Sequence, residues 1–199
     1  MSCLKDHLLS RLLQLDFDGD ERLFTPEERN ELRLININRI VESKVIRINY
    51  TSYDVHREHD CLRPDRHSFL MTLSREEDPE RHPFWYCQLI KAFHVEVHFC
   101  PGGVSRSQEK LEVLWVHWLG VDPDHKWGFW RCALPKVGFV PEDADSPAFG
   151  FLDPSLVIRG CHLIPAFIDG HTVQLLRRGV SVARLPGETD DWASYYVNM

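Results

Sequence analysis

The sequence predicts a mainly β fold of the α+β class, in which two short N-terminal helices precede a small, curved antiparallel sheet that closes into a β-barrel. Three observations carry this expectation. Residues 93–100, "FHVEVHFC", place Phe93, Val95, Val97 and Phe99 on odd positions and His94, Glu96, His98 and Cys100 on even ones. A period of two is that of a strand with one face in the core. Residues 111–121, "LEVLWVHWLGV", are largely apolar on both alternating sets, as in a strand covered on both sides. Short β-like runs then recur between turn residues down to the C-terminus, a spacing typical of barrels and sandwiches. The expected division is a helical segment over residues 1–43 and a barrel domain over 44–199.

The elements follow in order. Leu4, Leu8, Leu9, Leu12, Leu13 and Leu15 recur at helical spacing, so a helix is expected over 4–14. "TPEE" at 25–28 is a capping box with Thr25 as N-cap and Pro26 at the first helical position. It starts a second helix, expected from 26 to about 34. "KVIRINYTSYDV" alternates Ile46, Ile48 and Tyr50 against Val45, Arg47 and Asn49, as a half-buried strand does. "REHDCLRPDRH" reads as a polar loop, "SFLMTLS" as a short strand and "REEDPERHP" as a charged connection. "FWYCQLIKAFHVEVHFC" is long for one strand, and Lys91 interrupts its odd-numbered apolar face. A bulge between Ile90 and Ala92 would restore the phase. "CPGGVSRSQEK" is the hairpin loop that follows. "WGFWRCALPKVGFVP" and "SLVIRGCHLIPAF" each offer a strand, with "PEDADSPAFGFLDP" as an acidic loop between them, and "DDWASYYVNM" supplies the last strand-like piece.

Composition narrows the function. The chain has 199 residues, 43% hydrophobic and 27% charged, with a formal net charge of −7. Its apolar runs fall short of the roughly 18 residues that cross a bilayer, and the N-terminus has no secretory signal pattern. Six cysteines without a CxxC pair read as reduced thiols of an intracellular protein, nuclear or cytoplasmic. Gripping nucleic acid takes concentrated positive charge. The densest basic stretch, "LLRRGVSVAR", offers only Arg177, Arg178 and Arg184, which weighs against nucleic acid as the partner.

The candidate chemistry is thin. Asp16, Asp18, Asp20 and Glu27 occupy calcium-loop positions, but Glu21 stands where that loop needs glycine. His94, Glu96 and His98, with His117 on the next strand, are the metal-ligand candidates for a metal-dependent hydrolase or nuclease. On a strand His94 and His98 lie about 13 Å apart, while zinc bonds are only about 2.0–2.3 Å long. The row therefore reads as the solvent side of a strand, with no cofactor expected. Cys161 and His162 face opposite ways on a strand, Ser105 and Ser107 lack the nucleophile-elbow pattern, and Asp190 and Asp191 join no second acidic set. No catalytic residue is assigned.

The aromatics offer more. Six tryptophans are many for this length. Trp85, Tyr86, Trp115, Trp118 and Trp127 are the candidate peptide-binding residues, as walls of an aromatic cage for a methylated lysine or similar cation.

The blocks "KVIRINYTSYDVHREHDCLRP", "HPFWYCQLIKAFHVEVHF", "AFGFLDPSLVIRGCHLIPAF" and "DDWASYYVNM" resemble the C-terminal region of fungal transposon-encoded proteins of the Plavaka group, within the KDZ and CACTA-like assemblage. That resemblance spans nearly the whole chain and is most specific in "AFGFLDPSLVIRGCHLIPAF". It implies a transposase tail or a relic of one. The strand-transfer acids of such elements lie upstream in a separate RNase H-like domain, so the resemblance maps no catalytic residue onto this chain. The order of elements is also similar to a bromo-adjacent homology domain, an SH3-like curved barrel that reads chromatin peptides. The expected function is a non-catalytic module binding a protein or chromatin peptide, or the rest of a transposase.

Overall fold

The structure is a computed structural model that describes residues 2–17, 22–35, 40–51, 54–75, 82–104, 108–131, 133–141, 148–176, 179 and 181–198. It is mainly β, with N-terminal helices and a large antiparallel sheet.

Helix α1 (Ser2–Leu12) buries Leu4, Leu8 and Leu9 on one face, the spacing that the sequence predicts. Helix α2 (Pro26–Asn30) begins with the expected capping box: the Thr25 side chain accepts from the Glu28 N–H, and the Glu28 carboxylate accepts from the Thr25 N–H. It ends sooner than expected. Residues 32–35 form strand β1 (Leu32–Ile35) because Leu32 and Leu34 can join the apolar row of a neighbouring strand, opposite Phe99 and Val97. Strand β2 (Val41–Glu42) extends the same edge, so the 1–43 segment contributes strands as well as helices. Asp6 on α1 is 1% exposed and receives a two-pronged bond from Arg29, 2.6 Å on each arm, which ties the helices together.

Strands β3 (Ile46–Thr51) and β4 (Arg57–Leu62) form a hairpin. Alternation in β3 is as expected, but β4 corrects the reading of residues 57–62 as a loop. Its sequence hides it because only Leu62 is buried, and the hairpin leaves the rest of that strand largely in solvent. Strand β5 (Phe69–Leu73) pairs with β6 (Phe84–Phe99), and β6 pairs along most of its length with β7 (Gln108–Val121). The predicted bulge is present: the β6–β7 register shifts between Leu89 and Lys91.

Strand β8 (Lys136–Phe139) lies beside β7, as does β9 (Phe149–Leu152). The latter corrects the loop expected there. Its glycine has a local cause: a Cβ on Gly150 would stand 2.6 Å from the indole nitrogen of Trp118. Strand β10 (Val157–Pro165) pairs with β5 and with β13 (Tyr195–Asn198), while β11 (His171–Thr172) and β12 (Asp191–Trp192) form a small ribbon. The hydrogen-bonded ladders run from β6 to β5, β10, β13, β8, β7 and back to β6. Strands β1 and β2 add to β6 outside this circuit, and β9 adds to β7.

Both faces of the β6–β7 pair are buried, each against a different partner. Beyond the bulge, Phe93, Val95, Val97 and Val113 take the α1 leucines and Leu32. On the opposite face, Cys87, Leu89, Leu114 and Val116 meet Leu70, Leu152 and the hairpin residues Ile48 and Leu62. A third cluster gathers Phe69, Met71, Tyr86, Leu119, Val137, Phe139, Tyr195 and Val197. Among the described residues, no helix is long and apolar enough to cross a membrane, and Cys3, Cys61, Cys87, Cys100 and Cys161 are free thiols.

Candidate ligand groove

Where β6 begins and β7 ends, an open cavity of about 720 Å³ is lined by Trp85, Trp127, His82, Phe84, His125 and the β7 residues Leu119–Val121, together with Lys126 and Arg131. Its position follows from chain direction. Antiparallel pairing sets Tyr86 opposite Leu119, so the residues entering β6 and those leaving β7 emerge side by side. The turn after β7 then folds over them, with Gly128 bridged to Ala133.

The ring of His82 stands 4.3 Å from that of Trp127 and 5.3 Å from Tyr86, edge-on. Its Nδ1 lies 3.1 Å from both the N–H and the C=O of Phe84. Burial lowers the His82 pKa from its ordinary 6.5, opposed by the hydrogen bond that the ring can donate to the Phe84 carbonyl. The linkage sign follows. As pH falls through about 6.5, the unfolded chain takes up this proton before the folded one, so stability declines on the acid side until the lowered folded value is passed. His82→Gln is expected to flatten the acid-side fall in the urea midpoint between neutral pH and about pH 5. An unchanged slope in that variant would exclude His82 as its source.

The groove is mixed in charge. The Asp122 carboxylate is engaged by Lys136 at 3.4 Å and by the Asp124 N–H at 3.0 Å. Neither Lys126 nor Arg131 meets a carboxylate among the described residues. Trp127 is 37% exposed, and Trp130, on the same turn, is 95% exposed.

The candidates predicted from sequence divide. Trp85 and Trp127 line the groove. Tyr86 is fully buried, its oxygen 3.5 Å from His82 Nε2, and burial raises its pKa. Trp118 and Trp85 both meet Phe17, at 6.3 and 6.2 Å between ring centres, so Trp118 serves the hairpin-side core. Trp115 contacts Phe149 away from the groove. Of the five candidates, Trp85 and Trp127 share this groove, and Tyr86, Trp115 and Trp118 do not line it. Sequence reasoning missed His82, His125, Lys126 and Arg131; the signal was "HKWGFWR" at 125–131, in which cations and aromatics interleave.

The histidine row lies on extended backbone, as its alternation implies. His94 faces Val41 and Glu112, Glu96 accepts from Gln108 at 3.1 Å, and His98 sits opposite Arg33 and Gln108. His117 does not join them. Glu112, opposite His94, and His117 differ by five positions along an unbroken strand, so they point to opposite faces. His117 is 1% exposed, stacked between Phe139 and Phe149 at 4.4 and 4.5 Å. Among the described residues, no group of three or more His, Cys, Asp or Glu side chains is placed to hold a metal ion.

Elsewhere, Cys161 is buried while His162 is exposed, and burial pushes the Cys161 thiol up to about 12, which leaves it protonated. Asp190 pairs with His171 at 3.1 Å, and Asp191 is held by Arg184. Arg184 is thus a buried structural cation that adds nothing to an exposed basic stretch. Arg177, Arg178, Ser105, Ser107, Asp18 and Asp20 lie outside the described residues, and Asp16 pairs with Arg75 at 2.7 Å. No family model, curated protein or solved structure matches the chain.

Proposed function

We propose that this chain is a non-catalytic interaction module that holds a protein or peptide partner in the groove beneath Trp127. On this reading the strand circuit is a small barrel of the bromo-adjacent homology or SH3-like kind. The chain is then a nuclear or cytoplasmic module derived from the tail of a fungal Plavaka-type transposon protein, and its partner is a chromatin protein or the remainder of a transposase. The single supporting observation is a concave site of about 720 Å³ that leaves indole surface open beside two cations, Lys126 and Arg131, that meet no carboxylate among the described residues. Ligand sites combine an apolar lining with a few polar groups in this way, and aromatic and arginine side chains anchor interfaces.

A peptide library screened against the purified chain tests the proposal. Trp127→Ala is expected to weaken a selected peptide at least about tenfold, since a central aromatic anchor contributes about 2 kcal/mol or more. Trp115→Ala, outside the groove, is expected to leave the affinity unchanged. Selected binders indifferent to Trp127→Ala would remove the groove from the account.

A further inference from the structure

The charge inside the groove narrows its occupant, on the premise that the groove is the binding site. An aromatic cage for methylated lysine works because ring faces attract a cation, and its surroundings must not repel that cation. Here Lys126 and Arg131 line the same cavity without carboxylate partners among the described residues. The lining carboxylate, Asp122, lies 3.4 Å from Lys136, which it shares with Asp169 at 2.9 Å. A quaternary ammonium placed over Trp127 would meet two cations that no carboxylate among the described residues pairs with, against the single lining carboxylate of Asp122. An anion would meet the reverse: two cationic donors without a carboxylate partner among the described residues, beside an indole that accepts an apolar side chain.

We infer that the groove takes an acidic peptide segment, with one aromatic or aliphatic side chain laid against Trp127 and flanking carboxylates directed to Lys126 and Arg131. The pairing is geometrically economical. Both cations belong to the turn that carries Trp127, within five residues of one another in sequence, so a single short stretch of partner can reach all three. Nucleic acid offers anions too, but it carries charge along its whole length and is held by an extended positive surface. This chain has a formal net charge of −7 and presents a local positive spot, which suits a short segment. The inference turns the choice away from a basic, methylated tail and toward an acidic stretch of the partner.

Calorimetry with synthetic peptides tests this directly. Four probes share a central tryptophan or its equivalent: one flanked by aspartates and glutamates, one by lysines and arginines, one by serines, and one carrying trimethyllysine; an oligothymidylate is the fifth. The acidic peptide is expected to bind best and to weaken as ionic strength rises, because exposed charge pairs are screened. Reversing both cations together, Lys126→Glu with Arg131→Glu, is expected to weaken it about tenfold and to shift preference toward the basic peptide. Circular dichroism checks that the doubly substituted chain is folded. Preference for the basic or trimethyllysine peptide, lost in Trp127→Ala, would overturn the inference and leave the groove reading standing. Stronger binding of the oligothymidylate would overturn the peptide occupant. Binding of none of the five probes would overturn the inference, while the peptide library remains the separate test of the groove.

Discussion

Arg184→Met is expected to destabilise the protein by about 3–5 kcal/mol, the usual consequence of removing one partner from a buried ion pair. The side chains of Arg184 and Asp191 are 2% and 8% exposed. The guanidinium donates from Nε to Asp191 Oδ1 at 3.0 Å and from Nη2 to Oδ2, and a third bond runs from Nη1 to the Gly179 carbonyl at 2.9 Å. Loss of the arginine strands a carboxylate away from water. The pair also secures a cover. The Ala183 carbonyl accepts from the amide of buried Gln88 at 3.0 Å, and Ala183 and Leu176 close over Ile90 at the bulge. Adding Asp191→Leu to Arg184→Met is expected to recover most of the loss, since an apolar pair of similar volume often replaces a buried ion pair without penalty. Urea midpoints of wild type, both single variants and the double variant form the cycle. Additive losses would mean that the two side chains do not act as a pair.

The second large effect is expected from Leu8→Ala. Leu8 is fully buried in the cluster where α1 lies on Phe93, Val95, Val97 and Phe99. Truncating such a leucine costs about 2–5 kcal/mol, the lost transfer energy plus the cavity left behind. Leu13, 46% exposed one turn further on, supplies the contrast: Leu13→Ala is expected to change stability by less than about 0.5 kcal/mol. Equal effects at the two positions would contradict the seating of α1 on the sheet. Amide exchange in β6 gives an independent reading, because loss of the helix should expose its outer face first.

Legibility varied with how much of an element's pattern is local. The alternation in 93–100, the Lys91 phase break and the Thr25 capping box were readable because each rests on contacts a few residues apart. Strands β4 and β9 were not. The first is almost entirely polar because the hairpin leaves its side chains in water, and the second is four residues long within a stretch rich in proline and acid. The binding candidates depend on long-range contacts in the same way. Six tryptophans announce themselves, but Trp115, Trp118 and Trp127 are separated by what each meets in space: Phe149, Phe17 and His82 respectively.

Alternation of side chains along the backbone needs no knowledge of the fold, so residues 93–100 alone establish that His94, Glu96 and His98 share one face and the valines the other. The face on which His117 lies is a different matter. It depends on the pairing of Gln88 with His117 and on the shift at Ile90, which join residues far apart in the chain. The groove is likewise a product of tertiary structure: antiparallel pairing brings His82 to Trp127 across 44 intervening positions. Local sterics decide which way a side chain points from its own strand, and only long-range pairing decides what it then meets.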